Sequence, residues 1–348
     1  MLPTTEKKKK KIKRKSLLLM FLYLAIALFM TWLLLVLLLT FFFSHDESKE
    51  KPLLDKLYSL DDFETDLTKG LSGIFNSSDE TDEREIRFGK LDRDEFKPAM
   101  RDVLKDRDFD QESFDAIFEN MKSPKMLEKD PLHSTYGREV IYIYHSHSRE
   151  SFLPYLIGTD KPEEAFHSQA NIMFVGEMLG RALEKRGVGT KVDSTDIVQE
   201  LDFRGLDYGS SYTLSGERVR AAHVENKNLE IFLDVHRDSL RKDSTTKEIN
   251  GESYARLLFV VGTGHESYES NLLFAEGMEK LLATSYPGLS KGIIKKDSSQ
   301  GNGVYNQDVS PNSVIVEIGG VDNTLEELQR TTEALAEVLS DYYWHRKK

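Results

Sequence analysis

Apolar positions follow a different rule in each part of this chain. From Leu17 to Phe43 they are nearly continuous, and no charged residue interrupts them. As a helix this run would reach roughly 40 Å, against a hydrocarbon core of roughly 30 Å, which predicts one membrane span with some tilt. Residues 44–81 are rich in Asp, Glu, Lys and Ser with Gly70 and Gly73 as breakers, which predicts a flexible stalk. Next, Phe96, Met100, Val103 and Leu104, then Phe114, Ile117, Phe118 and Met121, recur at helical spacing. They predict two or three short helices in an accessory or lead-in region over 82–137. From Arg138 onward strand and helix patterns alternate. Val140–Tyr144, 229–235, 255–261 and 314–318 are β-rich apolar runs of the kind buried on both faces. Amphipathic stretches fall at 171–186, 214–226, 270–284 and 324–343, the first stopped by Gly187 and the third by Pro287 and Gly288. The expected fold is therefore α/β: a three-layer domain over 138–348 with a central, largely parallel sheet. One transmembrane helix and a partly helical stalk precede it.

Charge orients this arrangement. The formal net charge is −12, yet eight basic residues crowd between Lys7 and Lys15. Positive charge stays on the cytoplasmic side, so residues 1–16 are expected inside and everything after Ser44 outside. A cleaved signal peptide fits less well. The apolar run is much longer than the usual ~7–15-residue core, and no A-x-A cleavage site follows. The remaining body is acidic, which argues against nucleic acid as a ligand, because phosphate binding needs a basic surface. The chain has no cysteine, which excludes disulfides, thiol nucleophiles and thiolate metal sites. Any metal site must use His, Asp and Glu.

Three strand ends carry ionisable residues that packing does not need. The first runs into His145-Ser146-His147-Ser148-Arg149-Glu150, a later one into His236-Arg237-Asp238, and the last contains Glu317 inside an apolar stretch. In parallel strands these groups converge at the carboxyl edge, where such sheets hold their ligands. Imidazoles plus a carboxylate, without sulfur, suit Zn²⁺ with a position open for water. Glu317 would then serve as general base and acid, since an unpaired carboxylate in a buried strand is otherwise costly. A lone His-x-His is more often a surface loop, and His236 read alone could be a structural histidine. His167, before the first long helix, is a spare candidate ligand. The Gly301-Asn302-Gly303 loop with Asn306 and Gln307 reads as a recognition loop for a polar, amide-rich ligand, or as an ordinary polar loop. No G-x-S-x-G elbow occurs, which disfavours a serine hydrolase using Ser146 or Ser239.

The stretches IYHSHSRESFLP at 143–154, NIMFVGEMLGRALEKRGVG at 171–189 and FLDVHRDS at 232–239 also carry a resemblance. So do NLLFAEGMEKLLATSYPGLSKGI at 271–293 and GVYNQDVSPNSVIVEIGGVDNT at 303–324. Over roughly 138–345 the chain resembles the stage II sporulation protein P family, which is related to zinc-dependent N-acetylmuramoyl-L-alanine amidases. The resemblance implies peptidoglycan as substrate and cleavage between N-acetylmuramic acid and L-alanine. It also implies a second, cross-link endopeptidase activity, and action in septal wall thinning and engulfment at the sporulation septum and forespore membrane. SpoIID- and SpoIIM-type membrane partners are implied as well. Carried onto this chain, His147 and His236 are zinc ligands and Glu317 is the catalytic carboxylate. Glu150 is the expected remaining ligand, with His167 and His145 as alternatives. Arg237 would steady an oxyanion or a substrate carboxylate, or form a structural salt bridge with Asp238 or Asp234. Two departures stand out: the amidases place their Glu nearer the first long helix, where this chain has His167, and their Gly-His-Gly-Gly form is missing. The competing reading is a catalytically silent wall-binding or assembly module of the same fold.

Overall fold

A computed structural model describes residues 98–122 and 133–345. The expected basic tail (1–16), membrane span (17–43) and stalk (44–81) lie outside the described residues, as do parts of the 82–137 region. Among the described residues no helix is long and apolar enough to cross a membrane.

The chain opens with two short helices, α1 (Met100–Leu104) and α2 (Gln111–Lys122), then enters β1 (Glu139–Tyr144). There follow α3 (Met173–Lys185), β2 (Gly189–Val192), α4 (Ile197–Arg204), α5 (Ser211–Glu225) and β3 (Ile231–Asp238). Next come α6 (Lys242–Thr245), β4 (Thr246–Ile249), β5 (Glu252–Ala255), β6 (Leu257–Gly262), α7 (Tyr268–Ser285), β7 (Ser290–Lys296), β8 (Asn312–Gly320) and α8 (Leu325–His345). Six strands form one sheet in the order β2-β1-β3-β8-β6-β7. The first four are parallel to one another. β6 runs antiparallel to β8, and β7 follows β6 in parallel.

The expectation of a mostly parallel α/β sheet is met, and the reversed edge has a local cause. β4 and β5 form a separate antiparallel hairpin joined at Asn250 and Gly251, both with positive φ. Asn-Gly is the pair a tight two-residue hairpin turn prefers. The hairpin hands the chain directly to β6 from the carboxyl edge of its neighbours, so β6 and β7 point the other way. The sequence reading missed β2, β7 and this hairpin, which are short or partly polar.

Alternation along the strands sorts side chains onto two faces. Ile141 and Ile143, Leu233 and Val235, Val314 and Val316 join α3, α7 and α8 in the main core. Tyr142, Tyr144 and Phe232 face the other way, against Val219 and Ala222 of α5. Helices therefore cover both faces, as a three-layer domain requires. Asp234, His236 and Glu317 belong to the α5 side by this same alternation.

The segment from α1 to α2 is bound closely to the domain. Val103 is enclosed with Phe166, Val198 and Tyr208. Asp106 accepts from the Ser168 backbone N–H at 2.8 Å, and Phe109 bridges to Leu156. Phe114 packs against Phe174 of α3, ring centroids 4.6 Å apart and tilted by 42°. These contacts brace the loop between β1 and α3 from behind, and that loop carries the site.

Candidate metal centre

β1 ends at Tyr144, and the chain then folds back in a tight turn. Ser146 donates its backbone N–H to Asp234 Oδ1 at 2.8 Å, and Glu150 donates its own to the His147 carbonyl at 3.2 Å. Arg149 grips Asp196, the residue capping α4, through Nε and Nη2 at 2.9 and 2.7 Å. The turn is thus fastened to β3 on one side and to α4 on the other. This places His147 and Glu150, three residues apart, on the same side.

Glu150 lies between two imidazoles. Its Oε1 is 3.2 Å from His147 Nδ1, and its Oε2 is 3.5 Å from His236 Nδ1. One ligand atom from each of His147, Glu150 and His236 lies within 4.8 Å of the others. Ligand atoms about 2.0–2.1 Å from a tetrahedral zinc stand roughly 3.3 Å apart, and each imidazole lies about that far from one of the two Glu150 oxygens. Two imidazoles and a carboxylate also leave one tetrahedral position open. The residues therefore fit a zinc site with three protein ligands.

Electrostatics point the same way. Burial opposes charge on both partners, yet the mutual attraction wins. Burial alone would lower the His236 pKa, but the Asp234 and Glu150 carboxylates raise it well above the usual histidine value. Burial alone would raise Glu150, but His236 and His147 hold it well below the usual carboxylate range. In the metal-free protein a protonated imidazole supplies the positive charge that two buried carboxylates need.

Glu317 stands directly across from His236 in the β3–β8 register. Its Oε2 is fully enclosed and has no hydrogen-bond partner. Burial pushes its pKa up to about 7; the His236 charge pulls it down, and Glu150 and Asp238 push it up. Such a carboxyl can hold or release a proton near neutrality.

Two tyrosines that the sequence reading did not single out wall the site. Tyr208, on the turn before α5, stacks on the His147 ring at 4.9 Å. Tyr212, one helical turn later, lies 5.2 Å from His147 and 6.3 Å from His236, nearly parallel to the latter. Their i, i+4 spacing at a helix start was the available signal.

The other sequence candidates lie elsewhere or face inward. His145 sits on the α3 side of β1, where a Cβ at Gly176 would come within 2.3 Å of its Nε2. Burial pulls its pKa down to about 4, against the pull of Asp234, so it is neutral. His167 Nδ1 accepts the N–H groups of Gln169 and Ala170, both at 3.0 Å, and its ring rests on Phe109. Neither joins His147, Glu150 and His236. Arg237 donates its backbone N–H to Glu150 Oε2 at 3.0 Å. Its buried guanidinium donates to the Ser151 and Ala165 carbonyls at 3.0 and 2.9 Å, so it fixes the loop that holds Glu150. Gln307 ties its loop to β6, accepting from Gly262 N–H and donating to the Val260 carbonyl, both at 2.9 Å. Asn306 is buried and donates to Ser215 Oγ at 3.1 Å.

Comparison with known proteins agrees with the motifs. A protein from Bacillus subtilis (strain 168), "Stage II sporulation protein P", is 48% identical over 222 residues, which is 64% of this chain and 55% of that relative. The chain thus aligns with little more than half of that relative's length. Among solved structures, a metallo-carboxypeptidase from Burkholderia cenocepacia superposes with a TM-score of 0.35 at 10% identity, over 67% of this chain and 69% of the other. A likeness that loose carries no argument about fold or chemistry. The model of the family "Stage II sporulation protein P (SpoIIP)" matches residues 62–340, most of the chain and all of the site, and the chain belongs to that family.

Proposed function

We propose that this chain is a membrane-anchored, zinc-dependent peptidoglycan hydrolase of sporulation. Its reaction is N-acetylmuramoyl-L-alanine amide cleavage, with cross-link endopeptidase activity alongside. The observation that carries the reading is the His147–Glu150–His236 cluster beside Glu317, whose Oε2 is enclosed and without a hydrogen-bond partner among the described residues. A zinc ion bound there would polarise the scissile carbonyl and acidify a water. Glu317, with its pKa near 7, is the group that would take a proton from the attacking water as it adds to the carbonyl carbon and give it to the amine nitrogen as the C–N bond breaks. Arg237 and Asp196 keep the turn at 146–150 in place, so His147 and Glu150 need no rearrangement. Tyr208 and Tyr212 limit water around the imidazoles and offer aromatic faces to a substrate entering from the α5 side. The uncharged run at 17–43 supports anchoring, and SpoIID- and SpoIIM-type proteins are the proposed partners.

The test is product identification. The full chain, purified in detergent, is incubated with peptidoglycan, and the fragments are read by mass spectrometry. Stem peptides with a free L-alanine amino group are expected from the wild type and not from His236→Ala. Fragments cut only within the peptide cross-links would overturn the amidase assignment. No fragments at all would overturn the hydrolase reading.

A further inference from the structure

Behind His236 runs a line of buried polar side chains that the proposed reaction does not use. Asn306 Nδ2 donates to Ser215 Oγ at 3.1 Å. Ser215 Oγ and Ser146 Oγ are 2.8 Å apart, and Ser146 Oγ in turn donates to Asp234 Oδ2. Ser146 also gives its backbone N–H to Asp234 Oδ1. Ser146 and Asp234 are wholly enclosed, and Ser215 and Asn306 nearly so. At the end of the line, Asp234 Oδ1 stands 3.0 Å from His236 Nε2, an ion-pair contact outside hydrogen-bond geometry in the metal-free chain.

The direction of this line is fixed at both ends. An amide nitrogen only donates and a carboxylate only accepts, so the hydroxyl protons between them point toward Asp234. The Ser215 hydroxyl has one other acceptor, the Tyr212 carbonyl, but at 3.3 Å against 2.8 Å for Ser146. The Ser146 proton is committed to Asp234, so Ser215 is the donor of that shorter pair. Asp234 therefore receives two hydrogen bonds from Ser146, one on each carboxyl oxygen. With both oxygens accepting, an N–H on the imidazole nitrogen 3.0 Å away is the complementary arrangement.

We propose that Asp234, held by the Ser146–Ser215–Asn306 line, fixes His236 as the Nε2–H tautomer, so that the ring meets a metal ion through Nδ1. Nδ1 is the nitrogen that faces Glu150, 3.5 Å away. Asp234 is thus a positioning residue, and this gives the buried Asn306 a structural task at the far end of the line. Carboxylates behind metal-binding imidazoles set ring orientation and basicity in this way, and losing one typically costs about 10–100-fold in metal affinity. The inference rests on the zinc reading above.

The experiment uses the full chain in detergent, with ¹⁵N-labelled histidine and zinc as the probe. Two-bond ¹H–¹⁵N spectra of the zinc-loaded wild type should show His236 protonated at Nε2 and unprotonated at Nδ1. Asp234→Asn should weaken zinc binding about 10–100-fold in competition with a chromophoric chelator. Ser146→Ala leaves the carboxylate in place and covers the case in which Asp234→Asn fails to fold. It should weaken zinc by a few-fold and fold with a lowered metal-free melting point, since buried Asp234 and Ser215 each lose a partner. Metal bound through Nε2, or wild-type zinc affinity in both variants, would overturn this inference and leave the zinc site standing. A wild type that binds no zinc would overturn the zinc reading and this inference with it.

Discussion

His236 and Glu317 occupy facing positions on the adjacent parallel strands β3 and β8, both on the α5 side of the sheet. One is held cationic by buried carboxylates, the other held near a pKa of about 7 by burial. The fold thus places a charge-seeking cluster and a proton carrier side by side, without requiring either to move.

Replacing Glu317 separates the two tasks. Glu317→Gln should lower kcat for wall cleavage by about 10²–10⁴-fold, the usual worth of a positioned acid–base group. Zinc affinity, measured by equilibrium dialysis, should change little, since the His147, Glu150 and His236 ligand atoms remain. Loss of zinc together with activity would show that Glu317 is itself a ligand.

The same carboxyl leaves a signature on the metal-free protein. Its folded pKa is raised from 4.5 to about 7, so its favourable contribution is present below 4.5 and is lost as pH rises through 7. Thermal melts should show wild type and Glu317→Gln alike near pH 4.5. Glu317→Gln should be the more stable above pH 7, by up to about 3 kcal/mol. A gap that is constant with pH would contradict this.

Zinc must displace the His236 proton, because Nδ1 faces Glu150 and the imidazole is cationic without metal. Binding near pH 7 should release about one proton per ion, and affinity should fall up to tenfold per unit of acidification. Calorimetry in buffers of different ionisation enthalpy measures the release directly. Buffer-independent heats would mean that the imidazole is already neutral.

The start of α8 supplies a pH test remote from the site. Glu327 accepts from the Thr324 backbone N–H at 3.0 Å, Asn323 Nδ2 at 2.8 Å and Ser253 Oγ at 2.7 Å, and pairs with Lys242 at 2.9 Å. Burial opposes its ionisation, but these bonds win and bring its pKa from 4.5 down to about 2. A depressed carboxyl contributes stability above its unfolded pKa and loses it as pH falls through the folded one. Glu327→Gln should therefore melt lower at pH 7, by on the order of 3 kcal/mol, and the gap should close between pH 4.5 and 2. A gap that persists at pH 2 would refute the assignment.

Gly176 tests the approach of α3 to the site turn. Alanine in mid-helix is normally worth about 1 kcal/mol over glycine. Here its methyl group would lie 2.3 Å from His145 Nε2, and overpacking of that kind costs about 1–3 kcal/mol. Gly176→Ala should therefore be net destabilising in denaturant titration. A stabilised variant would mean that His145 swings away freely.

Much of this was legible from residue order. The strongly apolar strands and the long helices of the 138–348 region fall where periodicity placed them, and β1, β3 and β8 are parallel neighbours, as the convergence of their ends required. The reversed β6–β7 edge was not legible, because the Asn250-Gly251 hairpin reads as loop until its pairing is seen. His147, Glu150 and His236 could be named as candidates. Only the fold of the turn, fastened by Arg149 to Asp196, shows Glu150 between the rings while His145 faces α3. Asn306 and Gln307 show how a loop's internal bonding stays hidden in sequence. Polar side chains in a glycine-rich loop look available for ligands, and here they satisfy the loop's own buried backbone and hydroxyl partners. Tyr208 and Tyr212 carry no chemistry in sequence and acquire meaning only from the imidazoles they cover.

In the proposed function one metal ion, held by His147, Glu150 and His236, makes this chain a wall amidase. This is tested most directly by titrating zinc into the chelator-stripped full chain while counting stem peptides released from peptidoglycan. Activity should be absent at the start, rise linearly to one zinc per chain and then level off, and His236→Ala should stay inactive throughout. Full activity in the stripped protein, or in His236→Ala, would contradict the account.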